Sequence, residues 1–269
     1  MKIKEVLCAL ERFAPLPLQE DYDNAGLQVG LTEVEVSGAL LCLDVTEKVV
    51  DEAIRKGYNL IVSHHPVIFR KLRRVTDEDE VQRVVRKAIK NDIAIISMHT
   101  NLDAVEGGVN YKIAEKLGLQ NVRLIGGQKK ARPVLSEGEE RLGGEGVIGE
   151  LAEPIAADDL VLMLRKRFEV ECVQCNQLLR REIKSIAICG GAGSFVLDQA
   201  LAEKADAFIT GEMHYHEFFD RDQQIQICII GHYQSEQYTS ELLKEVIERH
   251  CEGVKCEITD INTNPIIYL

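Results

Sequence analysis

The 269-residue sequence has no block of basic residues, no apolar stretch of membrane-spanning length and no tryptophan. Lys and Arg total 32 against 44 Asp and Glu, a formal charge of −12, so no surface is built to track a phosphate backbone and nucleic acid is disfavoured as the main partner. The opening segment MKIKEVLCALERF carries charges at Lys2, Lys4, Glu5, Glu11 and Arg12. It therefore lacks the uncharged core of a signal peptide, which predicts a cytoplasmic protein without a membrane anchor. Paired cysteines are missing too. The eight cysteines are scattered singly among apolar residues, which predicts buried, reduced thiols. Cys172 and Cys175 have CxxC spacing, but EVECVQC reads as a strand, where positions three apart face opposite sides, so a zinc or redox pair is not expected there. CGGAGSF, residues 189–195, is a glycine turn able to offer N–H groups to an anion. It lacks both the third glycine of a dinucleotide fingerprint and the Gly-Lys-Ser/Thr of a P-loop, and close strand-to-helix packing explains it equally well.

What remains is 45% apolar content, enough for the core of one large or two ordinary domains. Ile3, Val6, Leu7 and Leu10 recur at helical spacing until Pro15 and Pro17 stop the helix. A strand over 39–43, a helix begun at Thr46 and ended by Gly57, and a strand over 60–62 make a βαβ unit. A helix over 78–90, a strand over 93–97 and a helix over 109–117 repeat the alternation, which predicts an α/β sheet. Residues 126–149 are rich in glycine and charge and mark the best boundary. Beyond it come a helix over 156–168, strands over 169–173 and 183–189, a helix over 194–204, strands over 207–210 and 225–230, and a helix over 235–250. The lobes are drawn as 1–125 plus 225–269, and 126–224.

Six of the seven histidines follow strand-like runs: His64 and His65 after LIV, His99 after IAIIS, His214 and His216 after AFIT, His232 after IQICII. Ligands of open α/β sheets collect outside the carboxyl ends of the strands, so these placements point to one kind of crevice. Asp103 follows His99 by four residues and Glu236 follows His232 by four, and on a helical turn each pair shares a face. In GEMHYHEFFD, Glu212, His214 and His216 point the same way only if the strand continues. Histidine with carboxylate, without thiolate, suits Zn, Mn, Fe, Ni or Co, and the donors exceed what one catalytic ion needs, which suggests two. The acids of DYDNAGLQVG, residues 21–30, are read as a turn in preference to supporting groups.

SHHPVIF, HTNLDAVEGGVN, CGGAGS, TGEMHYHEF and GHYQSE, in this order, resemble the NIF-three-like dinuclear-metal-centre family, whose members are also called GTP cyclohydrolase 1 type 2 homologues. Tyr22 stands where the family usually has tryptophan. The resemblance implies two α/β lobes in the compact form, without an extra inserted domain, the N-terminal lobe being completed by the C-terminal strand and helix. It also implies a toroidal homohexamer. Carried over by position, the ligands of two divalent ions per chain are His64, His65, Asp103, His232 and Glu236, with Glu236 as the bridge. His99, His214 and His216 take supporting or proton-transfer roles. The implied activity is metal-dependent hydrolysis of a small molecule, a nucleotide such as GTP, by water that the ions activate. The competing reading is a metal-binding or metal-insertion protein without turnover.

Overall fold

The structure, a computed structural model, describes residues 1–268. In chain order the elements are α1 (Ile3–Phe13), β1 (Gly26–Val29), β2 (Ala39–Cys42), α2 (Glu47–Lys56), β3 (Leu60–Ser63), α3 (Glu80–Lys90), β4 (Ala94–Ser97), α4 (Thr100–Ala104), α5 (Val109–Leu117), β5 (Gln120–Ile125), β6 (Lys129–Ala131), β7 (Arg141–Gly143) and β8 (Gly146–Ile155). They continue with α6 (Ala157–Arg167), β9 (Gln174–Cys175), β10 (Ile183–Cys189), α7 (Leu197–Ala202), β11 (Ala207–Thr210), β12 (Gln226–Ile229), α8 (His232–Glu236), α9 (Thr239–His250) and β13 (Cys256–Ile258). The α/β class expected from the alternation is what forms. Among the described residues no helix is long and apolar enough to cross a membrane.

Two compact units result. The first comprises Met1–Val105, Lys130–Arg141 and Thr239–Pro265; the second comprises Glu106–Lys129, Leu142–Tyr238 and Ile266–Leu269, described to residue 268.

In the first unit the strand order is β1-β4-β3-β2-β13. Strands β2, β3 and β4 run parallel, with Cys42, Ser63 and Ser97 in register at their carboxyl ends. Every residue of the three strands is buried, the continuous apolar pattern of parallel strands covered on both faces. Leu40, Ile61 and Ile95 pack under Val49, Val50 and Ala53 of α2 and Val84, Val85 and Ala88 of α3. The alternate residues Leu41, Val62 and Ile96, also fully buried, point to the other face, where α9 packs on β2 and β13 and α1 packs on α9. The N-terminal lobe is thus completed by the C-terminal helix α9, as the resemblance implied, and by β13, a strand the sequence reading did not include.

Buried Glu52 on α2 fastens this closure. Its carboxylate accepts from the Thr259 hydroxyl and from Asp260 N at 3.2 Å, just after β13, and pairs with Lys56 at 3.0 Å. Glu52→Ala strands those donors and is expected to cost about 1–3 kcal/mol, read as a lower urea midpoint at unchanged slope.

In the second unit the order is β5-β8-β10-β11-β12-β9. Strands β10, β11 and β12 are parallel, and Cys189, Thr210 and Ile229 align at their carboxyl ends. Ala187, Phe208 and Ile227 pack against Val196, Leu197 and Ala200, the last two from α7.

The boundaries differ from the sequence reading. Strand β12, expected with the first lobe, hydrogen-bonds between β11 and β9. Residues 106–125 also belong to the second unit, because β5 pairs with β8. Part of the glycine-rich stretch returns to the first unit, where Val134 N and Leu135 N donate to buried Glu11 at 2.6 and 3.3 Å. An apolar run does not state which sheet its edges will meet. Local differences have local causes. Glu169 turns the chain at φ 54° and the strand expected over 169–173 does not form, the short β9 at Gln174–Cys175 lying just beyond it, and the helix over 235–250 breaks into α8 and α9. Residues 194–196 form a 3₁₀ turn before α7.

Candidate functional site

His64, His65, His99 and His232 sit where parallel strands end, and each of these four rings is aimed by a hydrogen bond. In the first unit His64 and His65 follow β3, with His64 N bonded to Cys42 O at 3.2 Å and His65 N to Leu43 O at 2.9 Å, so the β2–β3 ladder holds them to the strand end. His64, fully buried, directs Nδ1 to Met98 O at 2.8 Å. His65 directs Nδ1 to Asp44 Oδ1 at 2.8 Å, and Thr263 fixes the other Asp44 oxygen at 2.7 Å. His99, just before α4, directs Nδ1 to Asp23 Oδ1 at 2.7 Å. Because the acceptors are a carbonyl and two carboxylates, Nδ1 donates in all three rings, and Nε2 is the nitrogen that could coordinate a metal ion. The adjacent rings of His64 and His65 lie 4.9 Å apart at 47°, anchored to different acceptors. One ring nitrogen from each of His64, His65 and His99 lies within 4.8 Å of the others. Helix α4 brings Asp103 back, and its Oδ1 faces His64 Nε2 at 3.5 Å.

The second unit repeats the logic. His232 opens α8, and its Nδ1 is 2.9 Å from Glu212 Oε1, just beyond β11. Its Nε2 faces Glu236 Oε2, one helical turn on, at 3.2 Å. The glycine turn after β10 is the seat of this pair. Gly191 N donates to Ser235 Oγ at 2.9 Å, Gly190 N to Asn110 at 2.9 Å and Gly193 N to Thr210 at 3.1 Å. Those three N–H groups are committed internally, so the packing reading of CGGAGS holds over the anion-binding one. Gly191 has φ +57°, and a Cβ there would lie 2.3 Å from Glu236 Oε1.

A neutral imidazole Nε2 and a carboxylate oxygen are both acceptors, so facing each other at 3.2 and 3.5 Å they need a cation between them, a metal ion or a proton. The donors, nitrogen and oxygen without sulfur, suit a borderline divalent transition ion. The residues present therefore fit the metal that the sequence implied.

Sequence-predicted residues fall into place unevenly. His64, His65, His99 and Asp103 come together in the first unit, and His232 with Glu236 in the second. His99 sits within the histidine cluster itself, edge-on to His64 and His65 at 5.3 and 5.4 Å. Strand β11 stops at Thr210, so the continuous-strand alignment of Glu212, His214 and His216 does not form. His214 is exposed on a cavity of about 550 Å³ shared with Glu212 and His232, whereas His216 packs its exposed ring on Tyr215 and Phe219.

Asp44 was missed, although it too follows a buried strand, and Asp23 was read as part of a turn. Burial pushes the Asp23 carboxyl up, but hydrogen bonds from His99 and Thr100 outweigh it and bring it down from 3.8 to about 2. A carboxyl depressed in the folded state stabilises above its unfolded value, and that contribution is lost as pH falls through the folded one. The stability gap between the native chain and Asp23→Asn is therefore expected to be full above pH 3.8 and to close toward pH 2. Denaturation midpoints over that range check it; a constant gap would contradict the assignment.

Two α/β units, each ending parallel strands in oriented histidines and carboxylates, define a class of candidate metal-binding protein. The chain belongs to the DUF34/NIF3 family (NGG1p interacting factor 3), which matches residues 1–265. It is 35% identical over 259 residues to a Clostridium perfringens protein named GTP cyclohydrolase 1 type 2 homolog, covering 94% of this chain and 95% of that one. A Lactococcus lactis protein of the same name is 32% identical, with 98% of each chain covered. Among solved structures, Staphylococcus aureus protein SA1388 superposes with a TM-score of 0.89 at 30% identity over 100% of this chain and 99% of that one. A Bacillus cereus protein related to NIF3 gives 0.85 at 25% identity, covering 100% and 99%.

Proposed function

We propose that the chain is a dinuclear divalent-metal protein and a metal-dependent hydrolase acting on a nucleotide. Its ligands are His64, His65 and Asp103 in the first unit and His232 and Glu236 in the second. The reading is carried by one observation: in both units a ring whose Nδ1 is held elsewhere turns Nε2 onto a carboxylate oxygen. Zn, Mn, Fe, Ni and Co all suit these donors, and such an ion supplies Lewis acidity toward water and toward a carbonyl or phosphoryl oxygen. Asp44, Asp23 and Glu212 hold the rings in the coordinating tautomer. His214, on the cavity beside His232, is placed to pass a proton to a leaving group, with His216 as its alternate and His99 ordering the first unit's cluster. The nucleotide assignment draws on the relatives' name, and the homohexamer belongs to the same family reading.

The test joins metal analysis to product analysis. The purified chain should hold about two divalent ions, and His65→Ala and Glu236→Ala should lose them; unchanged content would refute the ligand set. Loaded protein given GTP should release formate, or phosphate if the chemistry is phosphoester hydrolysis. Bound metal with neither product would leave a metal-holding protein without nucleotide turnover.

A further inference from the structure

The second unit carries a second reactive pair that no metal reading uses. Cys175 on edge strand β9 and Cys228 on β12 are direct register partners of an antiparallel ladder, and their sulfurs lie 4.0 Å apart. Register partners in such a ladder have Cα atoms about 4.5 or 5.5 Å apart, inside the range of roughly 4.4–6.8 Å that a disulfide spans. β9 is two residues long and pairs only with β12, so a small edge adjustment brings the sulfurs to bonding distance. The two thiols are unequal. Cys228 is fully buried, whereas Cys175 is half-buried and lines a cavity of about 750 Å³ with Tyr215, Phe218 and Phe219. Asp220 and Asp222 are the charged groups on that cavity among the described residues.

We propose that Cys175 is a thiol–disulfide exchange site for low-molecular-weight disulfides, with Cys228 as its resolving thiol. Cys175, losing its proton, attacks one sulfur of the incoming RSSR. The incoming S–S bond breaks and the first RSH leaves with that proton. Cys228 then attacks the Cys175 sulfur of the mixed disulfide, giving up its own proton to the second departing RSH. The protein gains one S–S bond and loses two S–H bonds, and the incoming disulfide is reduced to two thiols.

The roles follow from accessibility and are supported by acidity. Contact with Cys228 holds the Cys175 thiol below the ordinary range, although burial opposes it, while the same contact and burial push Cys228 well above. The more acidic and more accessible sulfur is the one that attacks first. The acidic rim disfavours an anionic disulfide, so cationic cystamine should react faster than oxidised glutathione. The partner of Cys175 is thus across the ladder and not Cys172, three residues earlier and exposed.

Native protein treated with cystamine, then alkylated after unfolding and mapped by mass spectrometry, should show a Cys175–Cys228 bridge, a loss of about two mass units and no retained adduct. Cys228→Ser should stop at a stable Cys175 mixed disulfide. Cys175→Ser should leave Cys228 a thiol. A Cys172–Cys175 bridge, an adduct confined to Cys172, or a Cys228 that stays fully alkylatable in the treated native chain would overturn the proposal. The mapping of unsubstituted protein decides without depending on any variant's folding.

Discussion

His64→Ala is expected to abolish metal binding by the first unit and to lower stability by about 2–4 kcal/mol. The ring is wholly buried, so its removal leaves a cavity and strands the Met98 carbonyl that Nδ1 engages at 2.8 Å. It also leaves Asp103 without the nitrogen that faces it at 3.5 Å. The two losses separate experimentally. A ligand that binds only the folded state raises the thermal midpoint in proportion to the logarithm of its concentration above Kd. Titrating Zn or Mn should therefore raise the midpoint of the native chain and raise that of His64→Ala by less, from its lowered start, since His232 and Glu236 are left in place. His65→Ala provides the contrast. Its side chain is 23% exposed and packs less completely, so the variant should start near the native midpoint and still respond poorly to metal. A His64→Ala chain that is destabilised yet responds to metal as the native one does would make His64 a structural histidine only.

The sequence made the delivery of these groups legible because its signals are local. LIVSHH, IAIISMHT and IQICIIGH are buried strands followed at once by histidines, and His99 to Asp103 and His232 to Glu236 are single helical turns. What stayed hidden depends on contacts distant in sequence. Asp44 meets His65 across adjacent strands, 21 residues away, and Asp23 meets His99 across 76. Nothing in LCLDVT or DYDNAG distinguishes those acids from ordinary turn residues. The ownership of β12 was hidden for the same reason, since QICI would be as well buried in either sheet. Strands β5 and β8 escaped because QNVRLI and GVIGELAEPI mix polar and apolar residues, as antiparallel strands with a wet face do. Cys175 and Cys228, 53 residues apart, meet only through the β9–β12 register.

Gly191→Ala is expected to weaken metal binding about 10–100-fold although the residue is not among the proposed ligands. Two costs combine. The residue holds φ +57°, where a Cβ costs about 1–2 kcal/mol. That Cβ would also stand 2.3 Å from Glu236 Oε1, so the carboxylate must swing away from its position 3.2 Å from His232 Nε2. The Gly191 N–H to Ser235 Oγ bond, which ties the turn to α8, loosens with it. Gly190→Ala is the control. Its Cβ would meet Ile113 Cδ1 at 2.9 Å and Glu236 Cγ only at 3.6 Å, an apolar clash that lowers stability while leaving the carboxylate in place. Calorimetric metal titration should separate the variants, with Gly190→Ala within a few-fold of native and Gly191→Ala far weaker. If the turn instead served as a phosphate cradle, Gly191→Ala would raise KM for a nucleotide at native metal affinity. The internal commitment of the N–H groups of Gly190, Gly191 and Gly193 argues for the first pattern, because an anion would have to displace Asn110, Ser235 and Thr210 to reach them.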